Sequence, residues 1–233
     1  MNRMYIEALI IAAGIALAGV FVGNGLNGIT QKNRTVTVKG LAEMEVKADK
    51  VTWPMVYKVL GDDLSELYNE IKSTNRKITA FLKEKGIDEE EISINAPEII
   101  DTKADRYNSN IQPYRYNVTT VITVTSKKVD LIRRLINEQS ELLKQGVAIT
   151  SGEYQYNVTY DYTSLNEIKP KMIEEATKNA RKAAEQFAKD SECDLGGIQR
   201  ASQGQFSIEN RDANTPYIKQ VRVVTTIDYA LED

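Results

Sequence analysis

The sequence predicts an α+β fold: duplicated β-α-β-β units forming a mainly antiparallel or mixed sheet, backed by helices on one face and preceded by an N-terminal membrane helix. Three observations carry this expectation. Apolar and polar residues alternate in several short runs, the period-two signature of half-buried strands. Three longer runs repeat apolar residues at helical spacing. The order strand, helix, strand, strand occurs twice, over about 51–125 and 147–229. The expected boundaries are 1–34 for a signal-anchor segment with its linker and 35–233 for one α/β domain.

The first element is apolar. No charged residue occurs from Ala8 to Gln31, and about 20 apolar residues suffice for a helix to cross a bilayer. Arg3 on its N-terminal flank favours a cytoplasmic N-terminus, although Lys32 and Arg34 weaken the asymmetry. The triplet "ALA" at Ala16–Ala18 resembles a cleavage site but falls inside the apolar run, so a retained anchor is expected over a cleaved signal. "LAGV" has valine where a lipoprotein box needs cysteine. "GNGLNG" matches G-x-G-x-x-G, but it follows a membrane segment rather than a strand, so it reads as a tether. Gly19 and Gly23 form G-x-x-x-G, which lets membrane helices approach and gives weak support to self-association.

Short strands follow: "RTVTVKG", "AEMEVKA" and "VTWPMVYKVL". Pro54 donates no ladder hydrogen bond, which makes the third an edge or a bulged strand. "DLSE" (Asp63–Glu66) is a helix N-cap, and Leu64, Leu67, Tyr68, Ile71, Ile78, Phe81 and Leu82 share one face before Gly86 stops the helix. A second helix, about Lys128–Gln145, carries Ile132, Leu135, Ile136, Leu142 and Leu143 inward and ends at Gly146. A third, about Leu165–Asp190, turns Met172, Ile173, Ala176, Ala180, Ala183, Ala184 and Phe187 inward; Pro170 makes it start late or kink.

The intervening strands place tyrosines with the apolar set. Tyr114, Tyr116, Val118, Ile122 and Val124 alternate with Arg115, Asn117 and Thr119; Tyr154, Tyr156, Val158, Tyr160 and Tyr162 alternate with Gln155, Asn157 and Thr159. A last strand, Tyr217–Tyr229, sets Val221, Val223 and Ile227 opposite Arg222, Thr226 and Asp228. One sheet face is thus helix-covered and the other wet and threonine-rich. The echo of "YRYNVT" in "YQYNVT" falls at non-equivalent places of the duplication, and both N-x-T matches, Asn117 and Asn157, fall mid-strand, where glycosylation is disfavoured. In each unit the last two strands are joined by a polar loop ending in Pro-Tyr, "NSNIQPY" and "RDANTPY".

Composition narrows the function. Thirty basic against thirty-three acidic residues give a net charge of −3, with no basic stripe for nucleic acid. Histidine is absent, which removes the commonest general base and metal ligand. No P-loop, nucleophile elbow or metal pattern occurs, so no cofactor or metal is expected. Asp161, Glu153, Asp101 and Asp105 are carboxylates of a suitable type for acid–base work, but no spacing ties two together, and "DEEE" (Asp88–Glu91) reads as a solvated turn. No catalytic, cofactor-binding or metal-binding residue is assigned. Cys193 is the single cysteine; its neighbours Glu192 and Asp194 are acidic, unlike the surroundings of reactive thiolates, and a small half-buried residue is the expectation.

Three stretches, "VTVKGLAEMEVKADKVTW", "FLKEKGIDEEEISI" and "EEATKNARKAAEQFAKDSECDLGGIQRAS", carry a resemblance. The chain from Thr35 to Asp233 resembles the SIMPL-domain (domain of unknown function 541) family, in which a V-x-V-x-G strand and an A-D-x-V segment follow a membrane-targeting N-terminus. The resemblance implies periplasmic or membrane-anchored envelope proteins, some immunogenic and one associated with oxidative stress, with an α/β domain, homo-oligomeric tendencies and no catalytic residues. "TWP" at Thr52–Pro54 departs from the family's plainer apolar alternation.

The function expected is that of a non-enzymatic, membrane-anchored envelope protein, self-associating through its α/β domain and linked to envelope or oxidative-stress protection. Its expected place is the bacterial inner membrane with the domain in the periplasm. The alternative is a ligand-binding module that uses tyrosine-rich strands and hairpin loops to hold a small molecule or an envelope polymer.

Overall fold

A computed structural model describes residues 12–22, 34–104, 113–150 and 154–232. The first described segment is helical over 12–22 (α1). Among the described residues no helix is long and apolar enough to cross a membrane. The expected span from Ala8 to Gln31 extends past α1 on both sides, outside the described residues. Two compact units follow from the pattern of contacts.

The larger unit covers Glu45–Leu165 and Ile208–Gln220. Its sheet is built on β2 (Lys50–Gly61), which pairs antiparallel with β5 (Tyr116–Ser126) in unbroken register from Val51↔Ser126 to Gly61↔Tyr116. Short strands β3 (Ile92–Ile94) and β4 (Glu98–Asp101) pair with the other flank of β5, and β6 (Thr159–Asp161) pairs with β2. Trp53, Met55, Tyr57 and Val59 of β2 and Val118, Ile122 and Val124 of β5 point into one core. That core is closed by Ile78, Phe81 and Leu82 of α2 (Leu64–Glu84) and by Ile132 and Leu135 of α3 (Val129–Glu138).

Pro54 is accommodated without a bulge. Alternate residues of a strand direct their backbone groups to the same flank. The Val56 carbonyl accepts from Thr150 N at 2.7 Å on that flank, while the β6 rungs stop at Thr52. Pro54 therefore faces a gap in the ladder where no donor is needed, and β2 is an edge locally.

Helix starts and stops follow local chemistry. The Asp63 carboxylate accepts from Ser65 N at 2.7 Å and Glu66 N at 3.1 Å, capping α2. Gly86 takes φ 91°, and Ile87 N donates back to the Leu82 carbonyl at 3.0 Å. Leu64 and Tyr68, expected on the buried face of α2, are exposed instead. The second helix is not continuous to Gln145: α3 ends at Glu138 and a 3₁₀ segment, Gln139–Gln145, takes over. The tighter period rotates Leu142 inward and leaves Leu143 exposed.

The smaller unit covers Met1–Met44, Asn166–Ser207 and Val221–Asp233. Its sheet has the order β1–β9–β7; the strands are β1 (Thr35–Lys47), β7 (Asp194–Gln203) and β9 (Ile218–Glu232), while the end of β1, the start of β9 and nearly all of β8 (Ser207–Asn210), which pairs with β9, fall within the residues of the larger unit. β1 and β9 run antiparallel, as Arg34 O–Leu231 N and Thr37–Asp228 contacts require. Val36 and Val38 of β1 and Ile227 and Tyr229 of β9 pack with Ala180 and Ala184 of α4 (Leu165–Asp190). The buried residues of α4 recur every fourth position from Met172 to Ala188, a stripe of mostly small side chains. Phe187 and Ala183, expected inward, are exposed. α4 starts at Leu165 and contains Pro170, so it does not start late.

Several sequence expectations are corrected. "RTVTVKG" and "AEMEVKA" are one thirteen-residue strand, β1, not two. The tyrosine run from Tyr154 is mostly not strand: Tyr154–Tyr156 form a 3₁₀ turn and only Thr159–Asp161 extend. Asn157 lies exposed between them rather than mid-strand. Tyr114 and Tyr217 fall outside β5 and β9. The strands form two sheets rather than one, and the element order runs in parallel in the two with a first strand other than the one expected. β2–α2–β3–β4–β5 corresponds to β1–α4–β7–β8–β9, with β5 and β9 each flanked by the first strand on one side and two short or edge strands on the other. The wet face holds for β1, whose Thr35, Thr37 and Lys39 are exposed, but at the middle of the larger sheet Val56 and Val121 are buried.

Candidate functional site

The carboxylates expected by type are not brought together. Asp161 sits on β6 opposite Lys50, and Asp101 sits on β4 opposite Tyr116, which itself pairs with Gly61. Between Lys50 and Gly61 the strand rises about 35 Å, far beyond the reach of a carboxylate pair. Asp101 is held by the Arg115 guanidinium at 2.9 Å, which keeps its carboxyl below the usual range. Glu153 and Asp105 lie outside the described residues. Among the described residues no group of three Asp, Glu or Cys side chains could hold a metal ion.

Cys193 has a positive neighbour that the sequence did not disclose. Its Sγ accepts from Arg34 Nη2 at 3.8 Å and donates to the Ser191 carbonyl at 3.3 Å. The thiol is half-buried.

Tyr57, Tyr160 and Tyr229 are core residues. Tyr160 meets Tyr217 edge-to-face at 6.2 Å, and the Arg133 guanidinium stacks 3.4 Å over the Tyr217 ring. Tyr68 and Tyr114 face solvent. Burial pushes the Tyr57 phenol above its ordinary range while it donates to Asn75 Oδ1 at 2.7 Å. Lys219 is 8% exposed; its ammonium donates to Asn210 Oδ1 and burial lowers its pKa.

Two features stand out as surfaces able to meet another molecule. The first is a groove of about 670 Å³ between α2 and the β3–β5 side of the sheet. Tyr68, Ile71, Ala80, Ile94 and Pro97 give it apolar walls, and Lys72, Arg76 and Lys83 are the charged residues that line it. Thr79 and Thr120 also line it, and neither hydroxyl has a hydrogen-bond partner. Thr120 lies beside the Tyr57 phenol without well-formed bonding geometry. The sequence concealed this groove because Lys72, Arg76 and Thr79 read there as an ordinary solvated helix face.

The second feature is β7. It is the terminal strand of its sheet, with β9 on one flank and no strand on the other among the described residues. Seven consecutive residues, Gly197–Gln203, are exposed, so both faces of the strand are open as well as its edge. Ile198 is 55% exposed between two irregularities in the register with β9.

No curated protein matches the chain. A family model does, over residues 36–227, described as a protein of unknown function (DUF541). The match runs from the second residue of β1 into β9, and the chain belongs to the SIMPL family.

Proposed function

We propose that the chain is a non-enzymatic, membrane-anchored cell-envelope protein whose α+β domain self-associates through the free edge of β7, in a role of envelope or oxidative-stress protection. The single observation that supports self-association is β7 itself: a ten-residue strand with an unpaired flank, exposed side chains on both faces and an exposed Ile198. Unpaired edges template pairing with another chain unless short strands, charge or proline protect them. β7 carries only Asp194 and Arg200 as charges and contains no proline. The uncharged run from Ala8 to Gln31 supports the anchor, with the domain on the periplasmic side.

A ligand held by tyrosine-rich strands and hairpin loops has less support, since Tyr57, Tyr160 and Tyr229 are core residues. Light scattering of the full chain in mild detergent, over a concentration series, tests self-association. A defined oligomer is expected for the native sequence, reduced to the protomer by Ile198→Lys with Ala201→Lys, both at exposed positions. A native chain that stays monomeric throughout, or an oligomer untouched by the double substitution, rejects the β7 edge as the interface.

A further inference from the structure

The groove on α2 has a charge pattern that calls for a ligand. Lys72 and Arg76 stand one turn apart on the same helical face, where like charges destabilise a helix. Among the described residues neither is part of an ion pair, whereas Lys83 is shared with Glu89 at 2.9 Å. No aspartate or glutamate lines the groove, although α2 itself carries Glu66, Glu70 and Glu84. Between the cations and the sheet the walls are apolar: Ile71, Ile94 and Pro97 face a space of about 670 Å³, within the range of pockets that hold one small ligand.

Cations beside an apolar wall describe an amphiphile with an anionic head. We propose that this groove binds a free long-chain fatty acid, its carboxylate between Lys72 and Arg76 and its chain along Ile71, Ile94 and Pro97. The two cations neutralise the carboxylate with charge-assisted bonds, and the chain covers Ile94, which is 55% exposed. The site is independent of the β7 edge.

The test uses the full chain in an amphipathic polymer free of detergent, with displacement of a fluorescent fatty acid as the readout. Palmitate is expected to displace it at one site per chain, and hexadecanol, which has the same chain without the charge, about tenfold or more weakly. Lys72→Gln with Arg76→Gln should weaken palmitate about tenfold and leave hexadecanol unchanged. Ile94→Trp, at an exposed position, should block both. Equal binding of palmitate and hexadecanol, indifference to the double substitution, or retention only on phosphatidylglycerol vesicles would each overturn the proposal, the last by showing a membrane surface rather than a ligand site.

Discussion

At position 40 a single methyl group would have nowhere to go. A Cβ built on Gly40 of β1 overlaps the Ala176 carbonyl oxygen of α4 and comes within 2.5 Å of Ala180 N and 2.8 Å of the Ala180 side chain. These are mostly backbone atoms, so relief requires the helix to move off the strand. Overpacking of this kind costs about 1–3 kcal/mol, and Gly40→Ala should sit at the upper end of that range. Gly197 on β7 is the control: a Cβ there meets nothing within 4 Å, and Gly197→Ala should change stability by about 0.5 kcal/mol or less. Denaturant unfolding of the two variants checks the contrast, and equal effects would mean that β1 and α4 do not meet this closely. The glycine was visible in the sequence as the end of V-x-V-x-G, and the alanines of α4 as a periodic run. That the two are one device, small facing small, rests on a separation of well over a hundred residues that no local pattern encodes.

Elements were read well where their signals were local and less well where long-range pairing decided. The Asp63 cap, the Gly86 and Gly146 stops and the alternation in β5 and β9 were all legible, because each depends on residues within a few positions. The first strand of the second repeat was misassigned: alternation around Tyr154–Tyr162 looks like a strand, but the partner that α4 covers is β1, far upstream. The groove was not legible at all, since it exists only where β3 and the residues after it line a space beside α2. Pro170 raises the clearest question at this scale. It lies six residues into α4, where the missing N–H forfeits the bond to the Asn166 carbonyl, a cost of about 3 kcal/mol in a helix interior. Its stiffening of the unfolded chain offsets about 0.4–1 kcal/mol of that. Pro170→Ala should therefore stabilise the protein by about 2 kcal/mol, seen as a higher Tm with unchanged circular dichroism. A lower Tm would mean that the proline's ring packing outweighs the lost bond.

Across the whole molecule the titratable groups point one way on the acid side. Burial works to raise the Asp49 carboxyl, but bonds from Thr163 N at 2.7 Å, the Thr163 hydroxyl at 3.0 Å and Ser164 N at 2.8 Å hold it below its ordinary value. Glu91 is likewise lowered against burial by the Ser126 hydroxyl and Lys128, and Asp101 is lowered by Arg115. The Thr215 hydroxyl and Arg211 bring Asp212 to about 2. A carboxyl that is more acidic folded than unfolded adds stability that is complete above its unfolded pKa and disappears as pH falls through its folded pKa. The unfolded values are 3.8 for aspartate and 4.5 for glutamate, so the loss should begin near pH 4.5 and continue toward about 2. With no histidine in the chain, no side chain of that type titrates near neutrality, and stability should be level between about pH 6 and 8. Thermal unfolding across the pH range measures both limbs. Asp49→Asn accepts fewer bonds and should lower Tm at neutral pH, the difference from the native chain shrinking as the native carboxyl is protonated. A gap that stays constant down to the acid limit would show that Asp49 contributes through packing rather than through its charge.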